Sequence, residues 1–140
     1  MRARARNAVL RHRYAHSRAN ISAELAKGDL FAMWSDQLWR AMWHNPVNGR
    51  DALYIASHVC AVEGLDETAG RALIDELTAW CTRPAYVYCH AWVPGDVLIW
   101  DERATLHRGR PWPYDQARTP ASICVSVGPD DGLESIRPAA

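Results

Sequence analysis

A chain of 140 residues, 49% of them hydrophobic, is long enough for one domain with a core of its own. Its 16 basic and 16 acidic side chains cancel, which removes the strong overall field that general nucleic-acid or anionic-membrane binding draws on. Cys60, Cys81, Cys89 and Cys124 show no C-x-x-C spacing, no apolar run approaches a membrane span, and the start lacks an apolar signal core. The expectation is a cytoplasmic chain with free thiols, with neither nucleic acid nor membrane as a partner.

Residues 1–43 form an arginine-rich segment with short helices. Arg2, Arg4, Arg6, Arg11, Arg13 and Arg18 precede the first acid, Glu24. Such a run reads either as an arm for anionic partners or as a solvated or packing segment. The second reading is taken, because Tyr14 is the only aromatic among them. His12 and His16, four apart, could share a helix face, but no carboxylate joins them. Ser35 or Asp36 is placed to cap a short helix running through Trp43, with Trp39 and Trp43 at i, i+4.

Residues 44–50 read as a turn, in which Asn48-Gly49 signals a type I′ hairpin. A strand is expected from Ala52 to Ser57, with His58 as a scaffold position. Asp66 is a natural N-cap for a helix near residues 66–82, whose Leu73, Leu77 and Trp80 fall on one stripe that Ile74 widens. Pro84 ends it. This helix should brace a sheet. Three further strands are expected: Tyr86–Trp92 with His90 structural, Val97–Trp100 after the Pro94-Gly95 turn, and Ala121–Val127. Between the last two lies a loop rich in Arg, Pro and aromatics, and residues 129–140 read as a tail. The fold class is α+β, mainly β.

The stretch Gly95 to Arg118 carries the candidate chemistry. Gly95-Asp96, then Trp100-Asp101-Glu102-Arg103-Ala104-Thr105-Leu106-His107-Arg108, then Arg118 eleven residues after the histidine, resemble the C-terminal signature of the TauD/TfdA family of Fe(II)- and 2-oxoglutarate-dependent dioxygenases. A second stretch, Asn45-Pro46 through Gly49-Arg50 to Ala52-Leu53-Tyr54, is similar to a family segment just ahead of the closing half of the barrel. The resemblance implies a partial double-stranded β-helix (jelly roll), with residues 44–128 as the C-terminal part of the catalytic domain. It implies His107 as an Fe(II) ligand and Arg118 as the residue holding the distal carboxylate of 2-oxoglutarate. The residue types suit those tasks. Imidazole joins a carboxylate and a second imidazole in the facial triads of non-haem iron, and guanidinium matches a carboxylate with two parallel bonds.

Two departures stand out. Glu102 replaces the asparagine usual in the motif, and Ser122 stands where taurine and 2,4-D dioxygenases have a substrate-gripping arginine. The family's other two ligands come as His-x-Asp or His-x-Glu, and none of His12, His16, His44, His58, His90 or His107 is followed by such an acid. The leading expectation is therefore a fragment of a dioxygenase that hydroxylates a small organic acid, inactive alone. It would be completed by a homo-oligomer or a complementing N-terminal half. The alternative is a non-catalytic remnant that binds 2-oxoglutarate or a partner subunit.

Overall fold

A computed structural model of the chain describes residues 1–27, 33–113, 115–125 and 128–139. Its organising element is β1 (Val9–His12), whose residues alternate in burial as a strand with one face inward should. Leu10 and His12 point into the core, at 0% and 6% exposure, while Val9 and Arg11 stay partly exposed. β1 is the middle of an antiparallel sheet in the order β2-β1-β5, with β2 at Gln37–Arg40 and β5 at Val59–Val62. Leu10 thus faces Trp39 on one side and Val62 on the other, and the register slips between Arg11 and His12, where His12 pairs with Val59. A second, two-stranded sheet pairs β3 (Met42–His44) with β4 (Asp51–Leu53).

Short helices α1 (Arg2–Asn7), α2 (Tyr14–Ala19) and α3 (Ala23–Ala26) flank β1, and α4 (Glu67–Cys81) packs on β5. α4 forms as expected, except that Trp80 lies off the buried stripe, exposed and set against Tyr86 with ring centres 5.4 Å apart. Leu73, Ile74 and Leu77 are buried against Leu10, Val59 and Val62. The Asp66 carboxylate accepts a 2.8 Å hydrogen bond from the Ala69 N–H and satisfies one of the helix's orphan donors. Asp66→Ala should cost about 1 kcal/mol in a urea titration, and an unchanged midpoint would remove the cap from the account.

The arginines of the first segment are engaged within the chain. Arg2 and Arg6 reach Asp51, Arg4 reaches Glu76, Arg11 reaches Glu63, and Arg13 reaches Asp36. Such surface pairs contribute little each, of the order of 0–1 kcal/mol.

Several expectations are corrected. The helix expected to end at Trp43 is instead the two strands β2 and β3. The i, i+4 spacing of Trp39 and Trp43 is even and so fits a strand face as well as a helix face. Pairing of β2 with β1 and of β3 with β4 then decides the outcome. The Asn48-Gly49 turn is not type I′. Among the described residues only glycines have positive φ, Gly49 at 68°, and the β3–β4 loop runs through six residues, 45–50. The Asn45 and Asn48 side chains accept from the Val47 and Arg50 N–H groups and shape this longer loop.

The strand expected at 52–57 ends at Leu53. The strands expected at 86–92, 97–100 and 121–127 are not formed, Ser126 and Val127 of the last lying outside the described residues. Val97, Ile99, Ile123 and Val125 are more than four-fifths exposed. A β-prone run becomes a strand only when a neighbour takes its backbone groups, and no strand pairs with these runs among the described residues. The stretch read as a tail folds back instead. Two 3-10 turns, Pro129–Asp131 and Leu133–Ile136, bring Ile136 to 3% exposure, and the second packs beside β3.

Candidate functional site

The turn that carries His107 is built from Asp101 to Thr105. The Asp101 carbonyl accepts from the Ala104 and Thr105 N–H groups and from the Thr105 hydroxyl, while its carboxylate accepts from the Arg103 N–H. Arg103 Nε and Nη2 each donate to one Asp101 carboxylate oxygen, at 2.9 and 3.0 Å. This two-bonded pair holds the Asp101 carboxyl below the usual carboxylate range. Arg103 also reaches Asp131 at 3.4 Å, and its guanidinium lies 4.8 Å from the ring centre of the buried Trp43. One side chain therefore ties the motif turn, the C-terminal turns and β3 together. The motif alone assigns Arg103 no role, and its Asp-x-Arg spacing with Asp101 is the signal in the sequence for this pair.

Two residues beyond Thr105, the His107 imidazole lies against Trp100, with ring centres 5.2 Å apart. Its Nδ1 is 3.4 Å from Glu102, whose other oxygen accepts from the Trp100 indole N–H at 3.0 Å. The departure from asparagine at Glu102 thus gives His107 an anionic neighbour. Arg118 stacks 5.0 Å from the Trp112 ring centre, and its Nη1 is 3.7 Å from where a Cβ on Gly109 would stand. The loop between 108 and 118 therefore folds back, bringing Arg118 beside a residue two positions from His107.

The remaining histidines go elsewhere. His44 pairs with Asp51, and His90 is held between the Tyr88 hydroxyl and Asp96 at 3.0 and 2.9 Å. The Val93 N–H, followed by His90, keeps the Asp96 carboxyl low. His12 lies not with His16 but with His58, their ring centres 4.9 Å apart. Among the described residues no three of His, Cys, Asp and Glu gather into a cluster able to hold a metal ion. Among the described residues His107 therefore has no companion ligands with which to hold Fe(II), and a lone imidazole binds it weakly. No helix among the described residues is long and apolar enough to cross a membrane.

Comparison with known proteins agrees with the motif. The chain is 36% identical over 74 residues to the (S)-phenoxypropionate/alpha-ketoglutarate-dioxygenase of Sphingobium herbicidovorans, covering 53% of this chain and 26% of that protein. It is 40% identical over 72 residues to the alpha-ketoglutarate-dependent 2,4-dichlorophenoxyacetate dioxygenase of Burkholderia sp. (strain RASC), covering 51% and 24%. The matched region spans about a quarter of these relatives' length. Among solved structures, AAD-2 in complex with Mn(II) and N-oxalylglycine matches at a TM-score of 0.59 and 27% identity, over 66% of this chain and 36% of that one. The family model described as taurine catabolism dioxygenase TauD, TfdA family, matches residues 1–123, and the chain belongs to that family.

Proposed function

We propose that this chain supplies the C-terminal, cosubstrate-holding half of an Fe(II)- and 2-oxoglutarate-dependent dioxygenase of double-stranded β-helix fold that acts on a small organic acid. In this reading His107 provides one iron ligand and Arg118 the grip on the distal carboxylate of 2-oxoglutarate. The single observation that carries it is the family match over residues 1–123, which includes the motif from Gly95 to Arg118. The fold-back that brings Arg118 beside Gly109 supports the pairing of the two residues in one site. The names of the relatives, dioxygenases dependent on alpha-ketoglutarate that act on phenoxypropionate or 2,4-dichlorophenoxyacetate, support the cosubstrate and the organic-acid class.

Bound iron would supply oxygen activation. In this reading His107 offers one imidazole and Arg118 a guanidinium for a carboxylate. The lack of a three-ligand cluster among the described residues favours the second reading, a non-catalytic remnant that binds 2-oxoglutarate or a partner subunit.

Two measurements test these readings. 2-Oxoglutarate titrated into the chain should shift the Arg118 Nε–H signal in NMR, and Arg118→Gln should weaken binding about 10- to 100-fold, the loss expected for one charge-assisted pair. Binding indifferent to that change would remove Arg118 from the site. Succinate formation from 2-oxoglutarate with Fe(II), ascorbate and air should not exceed that of a His107→Ala control. Turnover abolished in the control would instead make the chain a complete enzyme.

A further inference from the structure

We infer that the paired imidazoles of His12 and His58 are a binding site for a divalent cation of the zinc class, completed by solvent from the cleft that both rings line. The site uses neither His107 nor Arg118, so it goes beyond the proposed function and does not rest on it.

The irregularity in β1 is what brings the two rings together. The register slips between Arg11 and His12, so that His12 pairs with Val59. At the next position the Arg13 N–H donates to the His58 carbonyl at 2.8 Å. The two backbones are thereby tied side by side, and the rings stand with centres 4.9 Å apart and planes at 54°. Register irregularities of this kind re-aim side chains and gather beside functional sites.

The spacing suits a metal. Zn–N bonds run to about 2.0–2.1 Å, so two rings aimed at one ion with centres 4.9 Å apart subtend roughly 100° at it, near the tetrahedral angle. His12 is 6% exposed, and its Nε2, shut off from solvent, has no hydrogen-bond partner among the described residues. A stranded buried nitrogen of that kind calls for an ion or an ordered water. Imidazole is a ligand that zinc-class cations accept readily, and it ligates only when neutral. Both rings meet that condition, since burial pushes their pKa values down, that of His12 to about 4.

The charges around the rings set the strength. Arg103 acts on Tyr54 but is paired with Asp101 and Asp131, and Arg137, stacked on Trp39, is paired with Glu134. Arg18 acts on His58 directly and stacks on Tyr14. Its charge opposes a cation. With two protein ligands and Arg18 nearby, binding should be reversible and far weaker than at a four-ligand structural site.

The test is a titration of the folded chain with zinc chloride at neutral pH, following the imidazole signals of all six histidines by NMR. His12 and His58 should shift together and saturate at one ion per chain. His58→Phe, at a half-buried position, should weaken that event at least tenfold, while His107→Ala should leave it unchanged. Should His58→Phe fail to fold, the wild-type signals alone decide which rings hold the ion. Shifts confined to His16, His44, His90 or His107 would overturn the site. Saturation at His12 that His58→Phe leaves untouched would overturn the pairing of the two rings as ligands.

Discussion

Trp43→Ala should lower the free energy of unfolding by about 3–5 kcal/mol, the range for deleting a buried aromatic side chain. Trp43 is fully buried at the centre of β3, facing Ala52 of β4. Its ring also carries the Arg103 guanidinium, and the C-terminal turn at Leu133–Ile136 packs on the same strand. Losing the indole therefore opens a cavity and unseats Arg103, which links Asp101 to Asp131. Domains of this size hold only about 5–15 kcal/mol in reserve, so the variant should sit near the edge of folding.

Trp43→Phe separates the contributions. The Trp43 Nε1 has no hydrogen-bond partner among the described residues, so phenylalanine removes an unmet donor along with some packing and should cost much less than alanine. Arg103→Met keeps an apolar stem over the ring but removes the ion pairs. It should leave the core nearly intact while speeding hydrogen exchange at the Ala104 and Thr105 amides, which close the motif turn. Urea titrations read the first two variants and amide exchange the third. A Trp43→Ala cost below about 1 kcal/mol, no more than a surface change, would mean that β3 is not part of the stabilising core.

What the sequence made legible follows the range of the interactions involved. α4 was readable because its cap, its stripe and its stop at Pro84 lie within one continuous stretch, and each acts locally. The motif was readable for the same reason, since Trp100, Glu102 and His107 lie within a few positions of each other and do meet. β2 and β3 are not legible in the same way because Trp39 and Trp43 fit both periods, and the choice is made by partners outside the stretch, β1 for β2 and β4 for β3. The runs at Val97–Trp100 and Ala121–Val127 were read from propensity alone. Propensity describes how well a residue fits a pleated surface, not whether a neighbouring strand is there to make one. The pairing of His12 with His58 was hidden for a further reason. It depends on the slip in register at Arg11/His12, which no pattern in either strand announces.

That pair sets the second large effect, a loss of stability in mild acid. Burial first, and the neighbouring His58 second, hold the His12 pKa down at about 4, against about 6.5 for an ordinary imidazole. In the unfolded chain His12 takes up its proton as the pH falls through about 6.5, while the folded chain refuses it until about 4. Between those values the unfolded state binds more protons, so stability rises with pH across the window. It is complete above pH 6.5, should have fallen by about 2 kcal/mol at pH 5, and by about 3 kcal/mol below pH 4, where this group stops contributing. His58, whose pKa burial and Arg18 also lower, adds a loss of the same sign. The depressed carboxyls of Asp36, Asp51, Asp96 and Asp101 act in a different window. Their stabilisation is intact above the unfolded value near 3.8 and is lost only below it, so the interval from 6.5 to 4 isolates the histidines. His12→Phe keeps a ring against Tyr54 and His58 and has nothing to protonate, so its unfolding free energy should be much flatter over that interval. A wild-type curve that is level from pH 7 to pH 5 in urea titrations would show that the imidazole is protonated as readily inside the fold as outside it. The core around β1 would then have to be open to water at His12.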